Sequence, residues 1–594
     1  MPLFVTSILT AADFLAYGLQ SLFSSTSTGT NASTTEVKTP YSDTKPGQVA
    51  GASKTTLPDL ELFRAALADL SKVAIVNSAG NLEFTYGQLL HDAVELRRQL
   101  GVVDIAGARV AFLIPRSYEY AVVQWATWAA GGIAVPLCDA HPPPELEYVI
   151  TDSQAAIIVI HKSFAAKFTS IKEKLPQLRW IELEDYAVKP LSEVTAVYRT
   201  SKFDDERGAL LVYTSGTTGK PKGCLTTHNN VKHQVLSLVQ AWKWTKNDRI
   251  LHVLPLHHIH GIINVSAWAK QELLGVVSGF TSSVLCSMQL KQVTTATVFI
   301  LQVLTCSLWS GATVEMEPKF DAKAIWQRWK SQQNLTLFMA VPTIYAKLTQ
   351  AYHKFSDSEK KECTAACKQF RLMVSGSAAL PEQQFQEWEV ISGHKLLERF
   401  GMTEIGMGIS NPLEGVRRPG CVGLPLPYVS IKIISDEDKD VTTTANQPGM
   451  LYVRGPIVFK EYWGRPEATA SSFKEIDGQK YFITGDYAQM TNDGVYKIMG
   501  RASSDIIKTG GYKVSALEIE HEILNHPDVQ ECAVVGVPNA EWGEQVVAVV
   551  VLKQGTKPFE LKEFRDWLKP KIATYKIPAQ LKFVNELPRN VMLK

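Results

Sequence analysis

Beyond the N-terminal segment, short apolar runs alternate with longer stretches of helical periodicity, and this alternation limits the fold more than any other feature. Residues 73–76, 110–114 and 156–160 are typical of buried strands, whereas residues 86–100 and 118–130 predict helices. That order predicts an α/β domain with mainly parallel sheets. Because 594 residues exceed one ordinary core, we expect at least two domains.

The pattern divides the chain into three segments. Residues 1–57 are expected to be disordered or to serve in targeting, since apolar residues at helical spacing are followed by Ser, Thr, Gly, Lys and Pro. Residues 58–499 form the predicted large domain. Residues 500–594 form a smaller α+β domain, with helices over 514–526 and 561–568 and strands over 533–537 and 546–551.

One stretch of the large domain, residues 269–305, differs in character from its flanks. Residues 273–290 carry no charge over 18 positions, which is the lower limit of length for a membrane span. The Ser, Thr and Gln residues in this stretch disfavour a stable span, because their side chains need partners inside a bilayer. We therefore interpret 269–305 as a surface insertion or an error in the coding sequence.

Charge and cysteine content narrow the class of protein. Lys and Arg total 61 against 59 Asp and Glu, a balance that argues against binding to nucleic acid or to an anionic membrane. None of the eight cysteines forms the C-x-x-C pair of a zinc or redox site. This usage is typical of reduced thiols in an intracellular enzyme, in the cytosol or the mitochondrion.

The strongest local signal is residues 213–223, which follow an apolar strand predicted at 210–212. Glycines let backbone N–H groups approach phosphate oxygens, hydroxyls donate hydrogen bonds, and lysines offset negative charge. The loop is not a Walker A motif, because Pro221 rather than Ser or Thr follows Lys220. The predicted polyphosphate ligands are Thr214, Ser215, Gly216, Thr217, Thr218, Gly219, Lys220 and Lys222.

This loop resembles the signature loop of the adenylate-forming superfamily, which includes acyl-CoA synthetases. Further motifs follow in that family's order, at residues 255–261, 375–379, 398–404, 484–486, 500–501 and 507–514. The resemblance covers roughly residues 60–594. It implies an α/β large N-terminal domain of the adenylate-forming type, the adenylation domain, with a smaller, mobile α+β C-terminal domain.

The resemblance also implies roles for individual residues toward ATP, Mg²⁺ and coenzyme A. Ser375, Gly376 and Ser377 would lie against adenine, and Asp486 would bind both ribose hydroxyls. Thr403 would lie near the phosphates, and Glu404 would hold Mg²⁺, which prefers oxygen ligands. Arg501 would reach ribose or phosphate with a fixed fork of donors, and Gly511 belongs to the loop that shapes the thioester-forming site.

The closing segment, residues 587–594, resembles the family segment whose lysine bridges carboxylate and α-phosphate. We therefore expect Lys594 to be catalytic, together with His258, Thr403 and Glu404. Leu593 stands where relatives have Gly, and relatives continue beyond the lysine, so we expect the small domain to be truncated.

Within the superfamily, the chain most resembles eukaryotic-type malonyl-CoA synthetases, on the stretches at residues 251–261, 338–345, 371–377 and 401–407. The resemblance implies a two-step reaction in which malonate forms an acyl-adenylate and then a thioester with CoA. A dicarboxylate needs a cation and donors, because burying an unpaired carboxylate is costly. The candidate substrate residues are His258, His260, Lys347 and Arg418. A ligase for another short-chain or aromatic acid, and a catalytically silent nucleotide-binding protein, are the alternatives.

Overall fold

The structure, a computed structural model, describes residues 35–36, 55–101, 105, 107–194, 198–214, 221–254, 256, 298–502, 505–509, 512–539 and 542–587. In those ranges no helix combines the length and the apolar composition that crossing a bilayer requires. The helices of this part of the chain are α1 (Glu61–Ala68), α2 (Tyr86–Leu100), α3 (Tyr118–Ala129), α4 (Pro143–Asp152), α5 (Thr169–Lys174), α6 (His228–Trp242), α7 (Val298–Trp309), α8 (Ala322–Ser331), α9 (Pro342–His353), α10 (Asp357–Cys367), α11 (Glu382–Ser392), α12 (Pro466–Ser471), α13 (Ala516–Leu524) and α14 (Leu561–Leu568).

The strands follow the same chain order. Up to residue 316 they are β1 (Thr35–Glu36), β2 (Thr55–Pro58), β3 (Val73–Asn77), β4 (Leu82–Thr85), β5 (Arg109–Leu113), β6 (Ile133–Pro136), β7 (Ile157–His161), β8 (Arg179–Leu183), β9 (Tyr198–Ser201), β10 (Gly208–Thr214), β11 (Lys222–Thr227), β12 (Arg249–His252) and β13 (Thr313–Met316). The next are β14 (Leu337–Ala340), β15 (Leu372–Gly376), β16 (Leu397–Met402), β17 (Gly406–Ser410), β18 (Leu424–Pro425), β19 (Ser430–Ile434), β20 (Gly449–Arg454), β21 (Glu461–Tyr462), β22 (Phe473–Ile476), β23 (Gln479–Met490) and β24 (Tyr496–Arg501). The last are β25 (Ile506–Thr509), β26 (Tyr512–Ser515), β27 (Val529–Asn539), β28 (Gly543–Leu552) and β29 (Gln580–Phe583).

Two large sheets form the body of the N-terminal domain. Among the described strands, one sheet has the order β21-β11-β10-β6-β5-β7-β8 and the other the order β18-β17-β16-β15-β14-β12-β13-β3-β4. The strands of their central parts are parallel, as the alternating pattern predicts. Strands β3, β5 and β7 and helices α2 and α3 confirm the elements expected from periodicity.

Residues 430–501 depart from that expectation. They form a separate antiparallel sheet of order β19-β20-β23-β22, with β24 paired to β23. The prediction of mainly parallel sheets is therefore wrong for this part of the large domain. Its strands bury one apolar face in a second core, around Phe459 and Phe482, which they share with residues of β16 and β17. Antiparallel neighbours can be joined by short turns, so no crossover helices are needed.

The C-terminal unit has the α+β composition that the sequence predicts. Its described strands form a sheet of order β26-β25-β28-β27, with β29 paired to β28, and α13 and α14 pack against it. Ser515 caps α13 by accepting a hydrogen bond from the Glu518 N–H, which fixes the start of the helix expected over 514–526.

Helix α7 bears on the stretch interpreted as an insertion. Strands β12 and β13 are parallel neighbours, so the chain must cross over between them, usually by a helix. Helix α7 supplies that crossover, and its Leu304, Cys306 and Leu308 are buried in the core. Residues 298–305 thus belong to a helix of the fold.

Candidate active site

The carboxyl ends of four neighbouring parallel strands, β12, β14, β15 and β16, define one edge of the nine-stranded sheet. Ligands of open α/β sheets bind outside the carboxyl ends of the strands. The motif at 375–379 follows β15 at this edge, and the motif at 398–404 lies on and after β16. In the sequence the histidine motif comes after β12, and its His258 and His260 lie outside the described residues.

The phosphate loop predicted from the sequence joins the antiparallel strands β10 and β11. Thr214 and Lys222 are cross-strand partners at its base, whereas residues 215–220 lie outside the described ranges. Two phenols brace this base: Tyr148 donates to the Pro221 carbonyl at 2.7 Å, and Tyr213 donates to an Asp152 oxygen at 2.9 Å. The strand expected before the loop is confirmed as β10.

Helix α6 begins directly after β11 with a capping box. The Thr227 side chain accepts from the Asn230 N–H, and the Asn230 side chain accepts from the Thr227 N–H. This reciprocal pair fixes the direction in which the chain leaves the loop, and so holds the end of β11 in place.

Ser375, Gly376 and Ser377 lie at the end of β15. Ser375 is fully buried, and its hydroxyl has no hydrogen-bond partner among the described residues. Ser377 has a φ of 67°, a left-handed conformation that is uncommon for a residue with a side chain and occurs often at functional sites. The structure therefore places this motif in a strained turn that holds one buried hydroxyl without a described partner.

Arg399 was missed by the sequence analysis and lies beside this turn. It is in register with Gly376, and its Nη2 donates to Ser377 Oγ at 3.1 Å. A Cβ at Gly376 would lie only 2.6 Å from Arg399 Cζ, so the glycine makes room for the guanidinium. The side chain thus lies over Gly376 at the end of β15 and reaches Ser377. Because the side chain is 3% exposed, burial holds the pKa of the guanidinium well below its ordinary value.

Glu404 lies in the turn between β16 and β17 and is buried. Its Oε1 accepts from the Tyr462 hydroxyl at 2.7 Å, and its backbone carbonyl accepts from the Phe459 N–H at 2.7 Å. Thr403, beside it, is half-buried. Within the described ranges no three His, Cys, Asp or Glu side chains form a metal-binding group. A single carboxylate fits Mg²⁺ that takes its other ligands from phosphate and water.

Asp486 and Arg501 are cross-strand partners on β23 and β24. Arg501 Nε lies 3.2 Å from Asp486 Oδ1, while Asp486 Oδ2 is buried with no hydrogen-bond partner in the described part of the chain. Burial raises the pKa of Asp486 to about 6, and the charge of Arg501 opposes that rise. The Thr484 hydroxyl accepts from the Asp486 N–H at 3.0 Å and fixes the turn. The pair thus offers one carboxylate acceptor with a guanidinium beside it.

Two of the remaining predicted residues, Arg418 and Lys347, lie within the described ranges. Arg418 is half exposed and ion-paired with Asp493, so its charge is committed at the surface rather than beside Ser377. Lys347 is half-buried about one and a half turns into α9. Gly511 and Lys594 lie outside the described residues.

The family model for the AMP-binding enzyme matches residues 62–272 and 289–463, and the model for its C-terminal domain matches residues 518–592. The mitochondrial malonate–CoA ligase ACSF3 of Xenopus laevis is 43% identical over 511 residues, which are 82% of this chain and 81% of that protein. Its counterpart in Homo sapiens is 40% identical over 90% of both chains.

The fold is likewise that of solved adenylate-forming enzymes. ATP-bound MatB from Rhodopseudomonas palustris has a TM-score of 0.73 and 33% identity, covering 90% of this chain and 96% of that one. A malonyl-CoA ligase in a ternary product complex with methylmalonyl-CoA and AMP has a TM-score of 0.57 and 30% identity, covering 88% and 97%. The resemblance inferred from the ordered motifs is confirmed, and the chain belongs to the AMP-binding enzyme family.

Proposed function

We propose that this chain is an ATP-dependent acid:CoA ligase that converts malonate to malonyl-CoA. The observation that carries the choice of acid is Arg399, a buried guanidinium at the edge of the sheet where the acid and the nucleotide would meet. A tunnel for a fatty acid would be lined by apolar side chains, since an apolar tail gains nothing from a desolvated cation. A second carboxylate would gain a charge-assisted partner there.

The nucleotide site is proposed to bind ATP through the groups that the fold leaves available. Asp486 Oδ2 would accept from a ribose hydroxyl, and the buried Ser375 hydroxyl would face the adenine side. Mg²⁺ would be held by Glu404 and would supply charge neutralisation at the phosphates. Two relatives support this proposal: the MatB structure is ATP-bound, and the malonyl-CoA ligase structure holds methylmalonyl-CoA and AMP.

The proposed reaction has two steps. In the first, a malonate oxygen attacks the α-phosphorus of ATP, the bond to the bridging oxygen breaks, and pyrophosphate leaves. In the second, the CoA thiol loses its proton, the sulfur attacks the acyl carbon, and AMP leaves. Joining two anions in the first step makes positioning and charge neutralisation the main tasks of the protein.

Several assignments outside the described residues belong to this proposal. Residues 215–220 would bind the phosphates, Lys594 would bridge the carboxylate and the α-phosphate, and Gly511 would shape the thioester site. His258 and His260 would give the acid pocket a polar wall on the side that follows β12. Lys347, which the structure does describe, is proposed as a charge that favours entry of an anion.

The insertion is proposed to be confined to residues 269–297. The family model leaves residues 273–288 unmatched, and α7 already supplies the crossover between β12 and β13. Inside the cell, the compartment is proposed to be the mitochondrion on the strength of the relatives' names, and fractionation of the tagged full chain would test it.

The deciding experiment is thioester formation from CoA and MgATP across malonate, methylmalonate, acetate, octanoate and benzoate. We expect turnover to concentrate on malonate. Turnover concentrated on octanoate or benzoate would refute the choice of acid, while tight ATP binding without any thioester would favour the catalytically silent alternative.

A further inference from the structure

Residues 459–463 form a short segment, here called the clamp segment, that joins the phosphate loop to the carboxylate of Glu404. Its strand β21 pairs antiparallel with β11, with Cys224 opposite Tyr462. Two backbone bonds extend the pairing: the Trp463 N–H donates to the Gly223 carbonyl at 2.7 Å, and the Lys460 N–H donates to the Leu225 carbonyl at 2.9 Å. The segment is therefore fixed along the strand that leaves the phosphate loop.

The same segment holds Glu404 at two points. The Phe459 N–H donates to the Glu404 carbonyl, and the Tyr462 hydroxyl donates to Glu404 Oε1, both at 2.7 Å. Tyr462 and Glu404 are 9% and 6% exposed, so water competes little for this bond. A carboxylate can only accept hydrogen bonds, so the Tyr462 hydroxyl is the donor in this contact.

A third contact links the phenol to the loop itself. Lys222 Nζ, at the base of the loop, lies 5.2 Å from the centre of the Tyr462 ring, a cation–π distance. One side chain thus contacts both a cation and a carboxylate that are expected to face the triphosphate. Neither the phosphate-loop motif nor the motif at 398–404 contains this residue.

We propose that Tyr462 is a positioning residue that occupies Glu404 Oε1 and thereby presents Oε2 to the divalent cation of MgATP. The inference rests on the proposed function, because it concerns the same nucleotide site. A hydrogen-bonded ligand carboxylate is held in one orientation, and loss of such an outer partner commonly weakens metal binding by about 10- to 100-fold.

The test uses the full-length protein and the change Tyr462→Phe, which removes the hydroxyl and keeps the ring. ATP binding is measured by calorimetry over a series of Mg²⁺ concentrations, and kcat is measured at saturating Mg²⁺. We expect the Mg²⁺ concentration for half-maximal ATP binding to rise about tenfold or more, with a smaller change in kcat. Tyr462→His, which retains a ring N–H donor, should recover part of that loss.

The matched control is Tyr118→Phe. Tyr118 is also a buried phenol that donates to a carboxylate, Asp92 Oδ2 at 2.9 Å, but it lies between α2 and α3, away from the nucleotide site. This variant should lose comparable thermal stability and keep the Mg²⁺ dependence of the parent protein. A Tyr462→Phe protein that matches the control in both measurements would overturn the positioning role.

Glu404→Gln separates this inference from the proposed function. If ATP binding by the parent protein does not depend on Mg²⁺, or if Glu404→Gln leaves that dependence unchanged, the proposed metal site is wrong. If Glu404→Gln shifts the dependence and Tyr462→Phe does not, only the role of Tyr462 is wrong. In the Glu404→Gln background, Tyr462→Phe should cause no further shift, because the carboxylate that it positions is gone.

Discussion

Replacing Arg399 by Met tests the proposed recognition of a second carboxylate. The change keeps a long side chain beside Gly376 but removes the charge, so the pocket becomes apolar at nearly constant shape. Removing one partner of a buried charge pair costs about 3–5 kcal/mol, because the other charge is left without compensation. At about 1.4 kcal/mol for each factor of ten, kcat/KM for malonate should fall by about a hundredfold to a few thousandfold.

The same variant also loses the hydrogen bond from Arg399 to Ser377. That loss lowers kcat/KM for every acid, and we call this common decrease the background loss. A hydrogen bond of this kind contributes about 0.5–1.5 kcal/mol. Because its loss loosens the turn at the end of β15, kcat/KM should fall by about two- to tenfold for every acid. Butyrate replaces the distal carboxylate by an apolar group and should suffer only this background loss, or should gain from the apolar pocket. The ratio of kcat/KM for malonate to kcat/KM for butyrate therefore isolates the effect of the charge.

The assay is the initial rate of AMP formation with each acid at saturating ATP and CoA. Arg249→Met is the control: Arg249 pairs with Glu315 at 3.0 Å, and it lies at the amino end of β12, opposite the candidate site. We expect this control to lower thermal stability and to leave the malonate-to-butyrate ratio unchanged. Equal losses for malonate and butyrate in Arg399→Met would refute the reasoning, since the charge would then make no distinction between the acids.

Three further predictions concern other parts of the chain. Because burial raises the pKa of Asp486 to about 6, above the ordinary 3.8, the carboxylate that would bind ribose is lost as the pH falls through 6. Calorimetry should therefore show that the affinity for ATP falls below pH 6. Asp486→Asn should weaken ATP binding at pH 8 and abolish this pH dependence. An unchanged pH profile in the variant would contradict the assignment. Lys594→Ala should suppress formation of the adenylate and spare thioester formation from supplied malonyl-AMP, and equal loss in both half-reactions would rule out its proposed role. Sequencing of transcripts across codons 257–309 should reveal a form that lacks part of 269–297, and a single transcript that retains every codon would show that the stretch belongs to the protein.

The parts of the fold that the sequence predicts best are those with a strong period and clear ends. Helices 86–100 and 561–568 are found at the predicted bounds, because their apolar spacing is regular and Thr85 caps the first of them. The antiparallel sheet of residues 430–501 was missed, because short strands joined by turns give the same local signal as the strands of an α/β domain. Only long-range pairing distinguishes the two arrangements.

The candidate site shows the same division. Motif residues such as Ser377, Glu404 and Asp486 could be predicted, because each belongs to a short ordered pattern. Arg399 and Tyr462 act through register and packing across strands, which no local pattern encodes. One signal could have identified Arg399: it stands with Glu398 among apolar residues that predict a buried strand, and charged residues are rarely buried unless they have a partner. Arg418 is the opposite case: the sequence suggested it as a substrate residue, but in the structure it forms an ion pair with Asp493 at the surface.

The most direct test of the central claim is a single-turnover reaction of the purified chain with malonate and MgATP in the absence of CoA. The proposed function predicts malonyl-AMP and pyrophosphate in amounts that match the enzyme, followed by malonyl-CoA and AMP when CoA is added. Release of ADP and phosphate, or malonyl-CoA formed without a detectable adenylate, would contradict it.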